Sequence, residues 1–190
     1  MVSGRRVTDL MRLISAKGVR LYGIHGAERV GKARTINRDS RAALTAARFN
    51  AGRLFRDIPK IRIEDKGLSF AVHYRGAMSM AGRIAKERLL EIMKPFRALL
   101  RVQEGNRVWE VIPSELRGKG ATVQSLLSKL PRKTLGIYMG DDATDEPAFR
   151  VLRRGITIHV GRRWPTKANL HLANPPKAIR FLQMLERELP

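Results

Sequence analysis

The spacing of apolar residues changes period twice along this 190-residue chain, and that change restricts the architectures open to it. Residues 7–16 place Leu10, Leu13 and Ile14 on one face, which predicts a helix, and residues 19–25 read as a short strand ending in a Gly-containing loop. A second helix is predicted over 39–57, with Ala43, Ala46, Ala47 and Leu54 as its apolar side and Pro59 as its stop. The period then falls to two. Ile61 and Ile63 alternate with polar residues up to a turn at Asp65-Lys66-Gly67, and Leu68, Phe70, Val72 and Tyr74 alternate beyond it, as in a hairpin. A helix over about 80–97, with Pro95 as a kink or boundary, is followed by a second hairpin, 99–103 with 107–112 around Glu104-Gly105-Asn106. From Pro113 helical and extended segments alternate again: helix 120–130, strand 134–139, a short helix near 146–153, strand 155–160 and helix 176–188. Alternation of that kind implies a parallel sheet. The chain reads as α/β, with an α+β unit inserted over about residues 31–112.

With 43% apolar residues, the chain can bury a core. The absence of Cys excludes disulfides, thiolate metal sites and a thiol nucleophile, and it favours a cytoplasmic protein. No apolar run approaches the ~18 residues that cross a bilayer, and residues 1–6 lack the apolar stretch of a signal peptide, so no membrane partner is expected. The 38 Lys and Arg against 17 Asp and Glu give a net charge of +21, which suits nucleic acid, an anionic membrane surface or a phosphorylated substrate. The arginines are dispersed from Arg5 to Arg187, and no basic run is interleaved with aromatics, which argues against nucleic acid.

Four places carry candidate chemistry. Gly140-Asp141-Asp142-Ala143-Thr144-Asp145-Glu146 follows a predicted strand, and ligand sites in α/β sheets lie beyond the carboxyl ends of strands. Its acids suit a hard cation such as Mg2+ or, alternatively, the first turn of a helix. Lys119 stands before a helix, where its ammonium would hold a phosphate or simply be solvated. Ser3 precedes the first helix as a phosphoryl-binding hydroxyl or an ordinary cap. The hairpin strand puts Ser69, Ala71, His73 and Arg75 on the face opposite its apolar residues; with Lys66 at the turn, that face would grip sugar hydroxyls or be the wet side of a half-buried sheet. His25 and Glu28 pose the same choice.

Taken in order, Val2-Ser3-Gly4-Arg5, Gly23-Ile24-His25-Gly26-Ala27-Glu28, Glu64-Asp65-Lys66 leading into His73-Tyr74-Arg75, Trp109-Glu110-Val111-Ile112-Pro113, Lys119-Gly120 and the acidic segment 140–146 resemble the trehalose-6-phosphate phosphatase family of the haloacid-dehalogenase superfamily. The resemblance runs over almost the whole chain. It implies a Rossmann-like core formed by residues 1–30 and 113–190 and an inserted α/β cap over 31–112 that recognises substrate. It also implies Mg2+-dependent hydrolysis of trehalose 6-phosphate to trehalose and phosphate. By matching position, Asp141 corresponds to an acidic Mg2+ ligand, with Asp145 as a second ligand or as a supporting acid behind it. Ser3 corresponds to the hydroxyl that holds the transferring phosphoryl group, and Lys119 to the cation that stabilises its charge. Lys66, His73, Arg75 and Glu110 would read the disaccharide, together with His25 and Glu28.

One family motif has no match. Asp-x-Asp-Gly-Thr, which ends the first core strand and supplies both nucleophile and general acid/base, should lie ahead of Ser3, where only Met1 and Val2 stand, and no Asp-x-Asp occurs elsewhere. The expectation from sequence is therefore an N-terminally truncated chain with the first core strand missing, inactive as it stands. A noncatalytic sugar-phosphate-binding remnant is the alternative.

Overall fold

The structure, a computed structural model, describes residues 1–77, 79–163 and 165–188. It divides into two compact units, Met1–Gly118 and Lys119–Pro190.

In the first unit, residues 1–5 run beside a short strand, β1 (Tyr22–Gly23), through a parallel bridge between Val2 and Tyr22. The Ser3 N–H donates to the Tyr22 carbonyl (2.9 Å), and the Ile24 and His25 N–H groups donate to the Arg5 and Ser3 carbonyls (2.9 and 2.8 Å). Helix α1 (Val7–Leu13) ends three residues earlier than the predicted segment. The predicted strand 19–25 shrinks to β1 because Ile24 and His25 leave extended geometry, at φ +45° and +55°. Two further short strands, β2 (Glu28–Arg29) and β3 (Lys32–Ala33), pair antiparallel after β1; at two residues each they are too short to show a period.

Helix α2 (Arg38–Phe55) starts at Asn37, whose side chain accepts the Ser40 N–H at 2.7 Å, as an N-cap does. Its buried stripe is Ala43, Leu44, Ala47, Ala51 and Phe55. This corrects the predicted face: Ala46 and Leu54 fall outside the stripe and are exposed. Strands β4 (Arg62–Asp65), β5 (Phe70–His73), β6 (Leu100–Gly105) and β7 (Val108–Pro113) form an antiparallel sheet in the order β4-β5-β7-β6, with helix α3 (Ser79–Met93) between β5 and β6 in sequence. Pro95 does mark a boundary, since α3 stops at Met93 and Lys94–Phe96 forms a 3-10 turn. The second hairpin turns at Asn106-Arg107, with Gly105 still paired to Val108, one residue beyond the predicted loop.

Register gives the sheet two unlike faces. Phe70, Val72, Trp109, Val111 and Leu100 share the face that packs against α2 and α3 in the main core. Arg62, Glu64, Ala71, His73, Glu110 and Gln103 share the other.

The second unit is built on a parallel sheet, as the alternation predicts. Helix α4 (Gly118–Leu127) leads to β8 (Ile137–Gly140), α5 (Glu146–Val151), β9 (Ile156–Val160), β10 (Leu170–Leu172) and α6 (Pro175–Glu188), with strand order β10-β9-β8. The strand predicted over 134–139 begins later, because Leu135 is exposed and outside the ladder. Gly120 sits against Pro147, so close that a Cβ would lie 2.7 Å from the proline Cβ. Among the described residues no helix is long and apolar enough to cross a membrane.

Candidate functional site

In the second unit, β8 ends at Gly140 and the chain enters a 3-10 turn over Ala143–Asp145 before α5. The four acids of this segment divide their roles. Asp145 is buried: its Oδ1 accepts from Lys119 Nζ (2.8 Å) and Tyr138 Oη (2.6 Å), and its Oδ2 accepts the Asp142 N–H (3.2 Å). The Lys119 side chain, in the first turn of α4, is only 10% exposed, so this is a buried ion pair. Glu146 accepts the Thr166 hydroxyl (2.6 Å) and the Lys167 N–H (2.8 Å), tying the segment to the loop before β10. Asp142 gives its backbone to the turn, its carbonyl accepting the Asp145 N–H at 2.9 Å. Asp141 is exposed and makes no hydrogen bond or ion pair among the described residues. Gly140 makes room for this arrangement, since a Cβ there would lie 2.3 Å from Asp145 Cγ. Burial first, then the Asp145 charge and hydrogen bond, push the Tyr138 phenol well above its ordinary range, so it remains a donor.

For a divalent cation, Asp141 offers an open carboxylate at the end of a parallel strand. Among the described residues, no group of three or more His, Asp or Glu is gathered to hold a metal. Mg2+ keeps several waters and takes one or two carboxylates, so Asp141 fits as one of those ligands.

In the first unit the polar sheet face is not uniformly wet. Ser69 and Ala71 are fully buried, which overturns a solvated face at that end of the strand. Glu110, at 6% exposure, collects three donors there: Ser69 Oγ on Oε1 (2.7 Å), and His25 Nε2 (3.0 Å) and Lys66 Nζ (3.2 Å) on Oε2. Lys66 Nζ also donates to the Gly4 carbonyl at 3.0 Å. A Cβ on Gly4 would meet the His25 ring at 2.9 Å, so the glycine lets residues 3–5 close over the cluster. His25 reaches Glu110 from a left-handed backbone, and Ile24 beside it is a β-branched residue at positive φ, a strained conformation that recurs at functional sites.

Burial alone would raise the Glu110 pKa, but the His25 hydrogen bond, the charges of His25 and Lys66 and the Ser69 hydroxyl together bring it from 4.5 to about 2. A carboxylate depressed on folding contributes stability that is complete above its unfolded value and is lost as pH falls through the folded one. The first unit is therefore expected to lose roughly 3 kcal/mol between pH 4.5 and 2 through this residue. Urea unfolding of wild type and E110Q across that range measures it; parallel stability curves would contradict the assignment.

At its other end the polar face opens into a cleft of about 840 Å3, where His73 Nε2 bonds Glu64 Oε2 at 2.7 Å and Arg75 is exposed at the rim. Glu28, half-buried, accepts the Val7 N–H at 2.7 Å and so holds the start of α1. Ser3 uses its Oγ as acceptor for the Arg5 N–H (3.2 Å), which leaves its hydroxyl proton available. Of the residues expected from sequence, His25, Lys66 and Glu110 form one cluster, and Lys119 and Asp145 form another. Sequence reasoning gave no role to Tyr138, although its place two residues before Gly140 in β8 puts both on one strand face.

A model of the trehalose-phosphatase family matches residues 1–176. The chain is 32% identical over 212 residues to the trehalose-phosphate phosphatase of Mycobacterium avium, an alignment that takes in 100% of this chain and 52% of that relative. It is 30% identical over 206 residues to the trehalose-6-phosphate phosphatase of Escherichia coli, taking in 100% of this chain and 71% of that one. The chain thus spans about half the length of the mycobacterial relatives it matches. Among solved structures, the C-terminal domain of C. albicans trehalose-6-phosphate phosphatase is similar with a TM-score of 0.80 at 22% identity, over 97% of this chain and 76% of that one. These likenesses show an α/β fold of the haloacid-dehalogenase type, whose phosphatases generally use a divalent metal.

Proposed function

Because the chain belongs to the trehalose-phosphatase family, we propose that it serves the Mg2+-dependent hydrolysis of trehalose 6-phosphate to trehalose and phosphate, a step of trehalose biosynthesis, in the cytoplasm. The observation that carries this reading is the buried Lys119–Asp145 pair, set in Gly140-Asp141-Asp142-Ala143-Thr144-Asp145-Glu146 just beyond a parallel strand. Lys119 neutralises charge on the phosphoryl oxygens, and Asp145, itself fixed by Tyr138, orients that ammonium. Asp145 thereby takes the supporting place, and Asp141 the place of metal ligand. Mg2+ held there would add charge neutralisation at the same oxygens. The Ser3 hydroxyl donates its free proton to a phosphoryl oxygen. Residues 1–30 and 113–190 act as core and 31–112 as cap, where Lys66, His73, Arg75 and Glu110, with His25 and Glu28, read the disaccharide.

The attacking Asp and the proton-donating Asp of the family reaction have no counterpart in the 190 residues, which contain no Asp-x-Asp. This chain by itself is therefore expected not to turn over. Phosphate release from trehalose 6-phosphate, measured on this chain and on an upstream-extended form carrying an Asp-x-Asp motif, tests both halves of the proposal. Comparable rates would sink the claim about the missing motif; a silent extended form would sink the phosphatase reading. The same missing motif favours a second reading, a sugar-phosphate binder without turnover, for which calorimetry should give saturable binding of trehalose 6-phosphate by the 190-residue chain.

A further inference from the structure

The cleft in the first unit carries more positive charge than a disaccharide calls for. Arg5, Lys60, Arg62, Arg75 and Arg107 line it against two carboxylates, Asp9 and Glu64, and Glu64 is already committed to His73. None of the five cations makes an ion pair with a carboxylate among the described residues. Their placement is held by the fold. Arg62 faces His73 across the β4–β5 pair, and Arg107 stands beside Tyr74, whose N–H donates to the Arg107 carbonyl at 3.2 Å. The Lys60 side chain lies along Gly76, next to Arg75. Lys60 and Arg107 both adopt left-handed backbone, at φ +63° and +60°, a conformation in which glycine is the ordinary choice. Two turns that favour glycine thus deliver cations to one concavity. Exposed cations gathered around one concavity add their fields in the space between them.

We propose that this cleft is an anion site for a phosphate-type dianion, free or esterified to a small sugar, bound chiefly by Lys60, Arg62 and Arg107 with Arg75 at its border. The volume of about 840 Å3 is that of a small-molecule site. Guanidinium groups match phosphate oxygens through paired N–H donors. The cleft shares His73 and Arg75 with the face proposed to read the disaccharide, while its principal cations, Lys60, Arg62 and Arg107, have no part in the phosphatase reading, whose phosphoryl group belongs to Ser3 and Lys119.

The test is isothermal titration of the 190-residue chain with inorganic phosphate at low ionic strength, with NMR mapping of the shifted amides. Saturable binding with shifts around Arg62 and Arg107 is expected. It should weaken at least about ten-fold in R62A/R107A, because charge-assisted hydrogen bonds to a dianion are lost. It should weaken also in R75A, a second exposed position that keeps the test independent of how the double variant folds, and stay within about two-fold in R180A, an exposed cation on α6 outside the cleft. Raising salt from about 0.01 to 0.15 M should weaken it as the field is screened. Glucose 6-phosphate in place of phosphate separates the two sources: tighter binding identifies an ester, equal binding the free ion, and either supports the site. Absence of saturable phosphate binding would overturn the proposal, as would binding kept in R62A/R107A. Loss of trehalose 6-phosphate turnover in an extended enzyme, with phosphate binding intact here, would instead count against the phosphatase reading alone.

Discussion

Replacing Gly23 with alanine is expected to cost the first unit about 3 kcal/mol or more. A Cβ at this position would lie 2.6 Å from the Val7 nitrogen and 2.7 Å from the Arg5 carbonyl oxygen, both backbone atoms that no rotamer change can move. Residues 1–7 must then draw away from β1, which breaks the bonds of Ser3, Ile24 and His25 to that strand pairing. The damage should reach the Glu110 cluster, because the Gly4 carbonyl that receives Lys66 lies on the displaced segment. Urea unfolding gives the free energy, and hydrogen exchange at residues 22–25 gives the location. Gly52 is the control: it sits in α2, and a Cβ added there would meet nothing within 4 Å, so G52A should stabilise by about 0.5–1 kcal/mol through helix propensity. Equal effects of the two alanines would contradict the close packing at Gly23.

The second large effect is expected at Lys119. In K119M the Asp145 carboxylate, whose side chain is 3% exposed, loses its cation and keeps the Tyr138 and Asp142 donors. Breaking one side of a buried pair costs about 3–5 kcal/mol, mostly as the penalty of the charge left behind. D145N added to K119M should recover much of the loss, since no buried charge remains. A double-mutant cycle by denaturant unfolding measures the coupling. Additive single effects would contradict an ion pair that matters.

The long periodic segments were legible in the sequence because their period reports directly on which side is buried. The α2 and α3 helices, both hairpins and the parallel sheet of the second unit are of that kind. Strands β2, β3 and β10 were not, being two or three residues long. The α2 face was misplaced for a related reason: alanines on both sides of a helix leave the stripe to be set by Leu44 and Phe55, which only packing identifies. Within the candidate site, the residue types were readable and their division of labour was not. Asp141 and Asp145 look alike in a run of acids, and only their surroundings distinguish an exposed carboxylate from one engaged by Lys119 and Tyr138. Ser69 read as one of the polar positions on a strand; it is buried, and its hydroxyl donates to the buried Glu110, far away in sequence.

The Glu110 cluster and the Tyr138–Asp145 contact bear on how a pH–rate profile of the proposed extended form would be read. Glu110 stays ionised from about pH 2 upward, and the Tyr138 phenol keeps its proton well past its ordinary range. Both groups are therefore spectators to titration through neutrality: they set a constant field and hydrogen-bond pattern while other groups gain and lose protons. Any limb of a rate profile that bends between about pH 5 and 9 must be assigned to different groups, for which histidine is the ordinary candidate. Substituting Tyr138 should scale such a profile downward without moving its inflections.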